Sequence, residues 1–281
     1  MIKNTFAIIG VLALVLYWWG LYENFPLNSA VELDLKVVLF SLVGGILPAL
    51  LWLWFWLKED AKKPEPGSLI LVAFLGGMIA VPFTIPFEQA IISIADNIKH
   101  GPASLLTHGQ IEAGVIILWA FIEEVIKFIA IYFVAFKSRF FDEPIDALIY
   151  LITGALGFAA LENSLYLMGS IVDGGVVVGA INTHLRFLGA TLLHIVSSSA
   201  IGLAIAFSFY KKKFRFLYLI GGIVAATALH AIFNLFIIRT QDVIETIVVF
   251  SYYWVIVLVL IVLFEGVKLL RPLAKGTIRL K

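Results

Sequence analysis

Cysteine is absent from this 281-residue chain. That excludes disulfides, thiolate zinc and iron–sulfur sites, and a cysteine nucleophile. Charge is the next scarcity. Only 14% of the residues are Asp, Glu, Lys or Arg and 62% are hydrophobic, whereas about a quarter of a soluble domain is charged. So few polar side chains cannot cover the apolar surface of a soluble chain of this length, so lipid is the solvent for most of it. HExxH and other local zinc spacings are missing, as are internal repeats and low-complexity tracts, so 1–281 reads as a single membrane domain. The first apolar stretch, Thr5 to Tyr22, is followed by Glu23–Asn24–Phe25–Pro26 rather than a small-residue cleavage pattern. It is therefore expected to be a first transmembrane helix and not a signal peptide.

What the chain does have is apolar length. A spanning helix takes about 20 residues, because the hydrocarbon core is about 30 Å thick and each residue rises about 1.5 Å. Eight stretches qualify: about 5–22, 35–57, 68–95, 112–136, 147–169, 183–210, 216–238 and 246–266. The expected fold class is all-α, a polytopic transmembrane helical bundle. Pro82 and Pro86 predict a kink in the third span. Asn97, Gly101, Pro102 and Gly109 predict a loop over Asp96 to Ile111.

Cation placement sets the orientation. In an eight-span topology one side collects Lys3, Lys58, Lys62, Lys63, Lys137, Arg139, Lys211, Lys212, Lys213, Arg215, Lys268, Arg271, Lys275, Arg279 and Lys281. The other side holds only Lys99 and Arg239. The positive-inside rule then puts both termini in the cytoplasm, and Trp18, Trp19, Trp52, Trp54 and Trp56 suit the interfacial belts. The basic tail is read as a topology signal in contact with anionic lipid.

Four consecutive spans carry ionisable or amide side chains in their middles. The fourth has Glu123, Glu124 and Lys127; the fifth, Glu162 and Asn163; the sixth, His194; the seventh, His230 and Asn234. A central charge costs roughly 2.5–3.5 kcal/mol on insertion scales. Four would cost on the order of 10 kcal/mol, comparable to the whole stability of a domain. They must be paired, neutralised or wetted, and a function is expected to retain them. At about 1.5 Å per residue, Glu162 lies roughly 10 Å from the outer ends of the spans, His230 roughly 12 Å, His194 roughly 16 Å and Glu123–Glu124 roughly 18 Å. One polar layer opening toward the outer half of the bilayer accounts for the coincidence.

Lys127 is i,i+4 from Glu123 and i,i+3 from Glu124, so it can serve either. Adjacent residues diverge by about 100° around a helix, so both glutamates cannot face one cavity. Which one does is left open. His230 shares a face with Asn234, His194 with Ser198, and Phe158 with Glu162 and Tyr166. This chemistry suits hydrolysis. A desolvated glutamate beside a second acid accepts a proton from water, and neighbouring N–H groups stabilise an oxyanion.

These motifs resemble the PrsW-type intramembrane proteases, related to the CAAX prenyl protease and bacteriocin-processing superfamily. The matching residues are Glu123–Glu124–Val–Ile–Lys127, Phe158–Ala–Ala–Leu–Glu162 continued by Asn163 and Tyr166, His194, and His230–Ala–Ile–Phe–Asn234, with Asp146 just ahead of the fifth span. The resemblance covers about residues 112–238, which would be the catalytic core, flanked by accessory helices at about 5–95 and 246–266. It implies cleavage of a membrane-anchored, anti-sigma-factor-like protein near the outer face of a prokaryotic plasma membrane. It also implies Glu123 as the base, with His230 and Asn234 holding the oxyanion. Glu162 stands where the prenyl proteases have histidine, and Lys127 where they have an arginine one residue later. The helper to the base therefore stays open, as does Glu124 as an alternative base.

The expected partners are the substrate and the bilayer, with no nucleic acid. No cofactor is the first expectation. The second is zinc, with ligands drawn from Glu123, Glu124, Glu162, His194 and His230, which offer suitable donors from four helices. Simpler readings stand beside the enzyme: a structural ion pair at Lys127, interhelical hydrogen bonds at the histidines, and interfacial or loop roles for Arg186, His184, His100 and His108. An ion- or proton-coupled transporter is the alternative class, with a non-catalytic scaffold third. A transporter predicts polar groups in both halves of the chain, and the first three spans look almost free of them.

Overall fold

The computed structural model describes residues 35–58, 64–100, 107–240 and 243–270, and the side chains within them except those of 176–188, 212 and 243. The expected first span, both termini, expected in the cytoplasm, and most of the basic tail lie outside the described residues. The chain divides into two units, Met1–Leu39 and Phe40–Lys281. Of the first only Leu35–Leu39 is described; the helical bundle belongs to the second.

The described residues are helical, with no strand among them. The helices are α1 (Leu35–Leu57), α2 (Gly67–Lys99), α3 (His108–Ile131), α4 (Asp146–Gly175), α5 (Gly189–Ser208), α6 (Arg215–Ile237) and α7 (Val243–Lys268). They overlap the last seven expected spans. Six of them are long and apolar enough to cross a membrane; α3 is long enough but carries Glu112, Glu123, Glu124 and Lys127. A π-helical turn, Tyr132–Phe136, extends α3.

Local chemistry sets several of the ends. Thr107 and Gln110 form a reciprocal capping box: the Gln110 N–H donates to Thr107 Oγ1 at 3.3 Å and the Thr107 N–H to Gln110 Oε1 at 2.8 Å. This satisfies two of the otherwise unpaired first-turn donors. It starts α3 at His108, and α2 runs on to Lys99, so the connection is shorter than the sequence suggests. The helical assignment of α2 continues through Pro82 and Pro86. Helices α4 and α5 lie in one continuous helical run, Asp146–Ser208, interrupted at Gly175, whose φ of 81° suits only glycine well.

The α4–α5 pair is the centre. Of the apolar stretch of α4, 83% is buried, and 72% of that of α5, against 22% for α1 and 28% for α6 and for α7. The Asp146–Ser208 run packs against α2, α3, α6 and α7. Small residues let α2 close on α4: a Cβ on Gly77 would collide with the Gly154 carbonyl, and one on Gly157 with the carbonyl of Phe74. In a bilayer, where lipid removes the hydrophobic drive between helices, such backbone approach is a main source of association. Helices α3, α4, α5 and α6 thereby present their polar residues to one another.

Candidate active site

Glu124 is fully buried and occupied on every side. Lys127 Nζ donates to its Oε1 at 2.5 Å, and Ser198 Oγ to its Oε2 at 2.8 Å. Ser197 Oγ lies 2.8 Å from Oε1 and 2.9 Å from the Leu193 carbonyl, its single proton shared between them. His230 Nδ1 lies 2.9 Å from Oε1. The choice the sequence left open for Lys127 thus falls to Glu124.

Those contacts fix the histidine tautomers. A carboxylate accepts only, so His230 donates from Nδ1–H, and the Nε2 of the neutral ring carries a lone pair. An ammonium donates only, so His194 Nδ1, 3.1 Å from Lys127 Nζ, accepts. The remaining His194 proton sits on Nε2 and is donated to Glu162 Oε2 at 2.7 Å. The two imidazoles lie 5.2 Å apart, nearly perpendicular, and the Phe158 ring lies 5.2 Å from that of His194, tilted 58° to it. Lys127 Nζ also lies 4.6 Å from the centre of the Phe158 ring. Phe158 of the FxxxE motif is thereby a wall of the polar cluster.

Glu123 differs from its neighbour. Its Oε2 is buried without a hydrogen-bond partner and sits 3.7 Å from His230 Nε2, beyond hydrogen-bond range. Glu123 lines a cavity of about 620 Å³ with Glu162, His194, His230 and Asn234. The cavity extends to Ile238, Thr240 and Thr246, at the end of the bundle that holds the α6–α7 connection. Glu124 and Lys127 lie behind its wall. Asn163 Nδ2 donates to Thr191 Oγ1 at 3.1 Å, tying α4 to α5.

Other sequence candidates fall elsewhere. Asp146 begins α4 and accepts from the Asp142 and Glu143 amides at 2.8 and 2.7 Å. It is 16 residues, roughly 24 Å of helix, from Glu162. His100 caps the end of α2, exposed and paired with Asp96 at 3.2 Å; His108 starts α3. The side chains of His184 and Arg186 lie outside the described residues. Sequence reasoning missed two groups. Ser197 had a legible signal, a Ser–Ser–Ser run one turn past His194. Glu88 lines the cavity from α2, which puts an acid in a span that looked apolar.

The donors suit a metal ion. One atom each from Glu123, His194 and His230 falls within 4.8 Å of the others. A tetrahedral zinc with bonds of about 2.0–2.2 Å needs its donors roughly 3.4 Å apart, so the set would tighten on binding. Two features fit: the unpartnered Glu123 oxygen, and His230 Nε2 backed by the carboxylate on Nδ1 that zinc-ligating histidines generally have. His194 has no free lone pair in this arrangement: to serve as a ligand through Nε2 it would have to release Glu162 and move that ring proton to Nδ1, where it now accepts from Lys127.

Residues 65–264 match a family described as PrsW family intramembrane metalloprotease. The chain is 31% identical to Protease PrsW of Geobacillus kaustophilus over 177 residues, 63% of this chain and 68% of that protein. It is 28% identical to Protease PrsW of Bacillus subtilis over 179 residues, 63% and 71% of the two chains. With Protease PrsW of Clostridioides difficile it shares 25% identity over 236 residues, 81% and 86% of the two chains. No solved structure matches. A match spanning most of the chain, with its motifs gathered at one intramembrane cavity, makes this protein a member of the PrsW family, a multi-pass intramembrane peptidase of the cell membrane.

Proposed function

We propose that Glu123 is the general base of the protease, acting on water in the cavity. The observation that carries this is its buried, unpartnered Oε2 on the cavity wall, beside a Glu124 whose acceptor positions are taken. Glu123 Oε2 takes a proton from water, and the hydroxide adds to the scissile carbonyl. Asn234, one turn beyond His230 and also on the cavity wall, donates its amide N–H to the oxyanion. As the C–N bond breaks, Glu123 returns the proton to the leaving amine, giving a carboxylic acid and an amine, which pass on to carboxylate and ammonium.

The resemblance implies His230 as a second oxyanion donor. With Nδ1–H committed to Glu124, the neutral ring offers Nε2 only as an acceptor, which supports a role in orienting water instead. His194 donates to Glu162 and so fixes that carboxylate at the rim. Were zinc bound, Glu123, His194 and His230 would hold it, Glu123 then serving as a ligand in place of the base, and the ion would supply Lewis-acid polarisation of water.

The substrate we infer is a single-span, membrane-anchored protein of the anti-sigma-factor kind, cut near the outer face. The kind of substrate is what the resemblance implies; cleavage near the outer face is supported by a cavity lined as far as the α6–α7 end and by fifteen cations assigned to the opposite side of an eight-span topology with cytoplasmic termini. Residues 112–238 form the catalytic core of a single membrane domain in this reading.

The test is cleavage of a tagged single-span substrate co-reconstituted in liposomes. Glu123→Gln should lower kcat by roughly 10²–10⁴-fold, with normal insertion. Undiminished cleavage by that variant would remove Glu123 from the mechanism. Proton or ion flux through the wild type without cleavage would favour the transporter reading.

A further inference from the structure

We infer that Glu88 on α2 is a specificity residue, selecting substrates that carry a lysine or arginine beside the scissile bond. The inference rests on the cavity being the place of cleavage and adds the chemistry of what enters it.

The cavity wall is rich in carboxyl groups, and no lysine or arginine among the described residues lines it. Three carboxyl groups reach it from three helices: Glu88 from α2, Glu123 from α3 and Glu162 from α4. The one cation nearby, Lys127, is buried and already bound to Glu124 and His194. Glu162 has His194, and Glu123 is spoken for by the chemistry. Glu88 has neither duty. It is half-buried, beside Thr84, and close enough to Glu123 and Glu162 to feel their charges.

Its position is fixed by the backbone. The indole N–H of Trp119 on α3 donates to the Glu88 carbonyl at 3.4 Å, and Trp119 itself lines the cavity. The stretch of α2 that carries the side chain is therefore tied to α3 at the cavity wall. The remaining lining is largely apolar and includes Val81, Ile85 and Ile116. Apolar walls suit the methylene stem of a long basic side chain while its head meets the carboxylate. In such a partly desolvated setting the Coulomb attraction is several times stronger than in bulk water. A neutral or acidic side chain at the same place would leave three carboxyl groups facing one another or add a fourth.

The experiment compares kcat/KM in liposomes for single-span substrates that differ only at one position beside the cut: lysine, methionine or glutamate. Wild type should prefer lysine over methionine by roughly 10–100-fold, the value of one charge-assisted contact, and should reject glutamate. Glu88→Gln, nearly isosteric, should bring the lysine-to-methionine ratio close to one. Glu88→Lys should shift preference toward the glutamate substrate, a rescue that a merely structural role would not give. A wild type that cleaves all three substrates equally, or a Glu88→Gln variant that keeps the lysine preference, overturns the inference. Glu123→Gln runs in parallel: if it cleaves normally, the cavity is not the site of cleavage and the failure lies in the catalytic role proposed for Glu123.

Discussion

Two sides of α3 carry the same residue in opposite settings. On one side Glu124 sits in a sealed polar knot with Lys127, Ser197, Ser198 and His230. About 100° around the same turn, Glu123 puts a buried oxygen with no partner on the wall of a cavity. The difference comes from neighbours, not from the residue. Lysine at i+3, two serines on α5 and an imidazole on α6 all aim at one carboxylate and leave the other alone. A carboxylate saturated with donors is a fixed structural charge that sets the tautomer of His230. One left short of donors keeps its lone pairs for a water molecule. In the mechanism proposed above, the pair divides the work of holding the site from that of doing the chemistry.

Exchanging either acid for its amide should separate those jobs most sharply. Glu124→Gln turns an acceptor oxygen into a donor that faces other donors and leaves Lys127 buried without its counter-ion. Breaking a buried pair in this way costs roughly 3–5 kcal/mol. Glu123→Gln disturbs no hydrogen bond of the unpartnered oxygen and should change stability by less than about 1 kcal/mol. Thermal unfolding in detergent reads both, beside the kcat loss expected for Glu123→Gln. Equal destabilisation by the two variants would break the comparison.

Asn234→Ala tests the cavity side alone. Loss of an oxyanion donor should lower kcat on the order of 10²–10³-fold while KM and thermal stability hardly move. A rise in KM at constant kcat would make Asn234 a substrate contact and leave the oxyanion without a donor from α6.

Much of this arrangement is written in the chain in legible form. Hydropathy and length locate the seven described helices, because a bilayer demands about 20 apolar residues whatever the fold. The expense of charge in lipid singles out Glu123, Glu124, Glu162, His194 and His230 without any view of their partners. What the sequence does not reveal is rotation about each helix axis. Lys127 is compatible by spacing with either glutamate, and only the arrival of Ser197, Ser198 and His230 from two other helices decides for Glu124. The same limit hides Glu88. Glu88, two-thirds of the way along a long apolar helix, does not stand out until Trp119 and the cavity wall are seen beside it. The distinction between α4 and α7 is equally hidden: both are apolar, but one is at the centre and the other at the edge, and in lipid both faces of either are apolar.

The smallest effects test the knot from within a single stretch of α5. Ser197, Ser198 and Ser199 are consecutive and buried, but only the first two reach Glu124, and the Ser199 hydroxyl has no hydrogen-bond partner. Ser197→Ala and Ser198→Ala should each cost about 1.5 kcal/mol, more than an ordinary neutral hydrogen bond because the acceptor is charged. Ser199→Ala removes an unsatisfied buried hydroxyl and should be neutral or stabilising. Ser197→Thr and Ser198→Thr keep the hydroxyl and should avoid most of the loss, less any strain from the added methyl. If all three alanine variants unfold at the same temperature, the hydroxyls act only by volume. Glu124 would then owe its position to Lys127 and His230 alone.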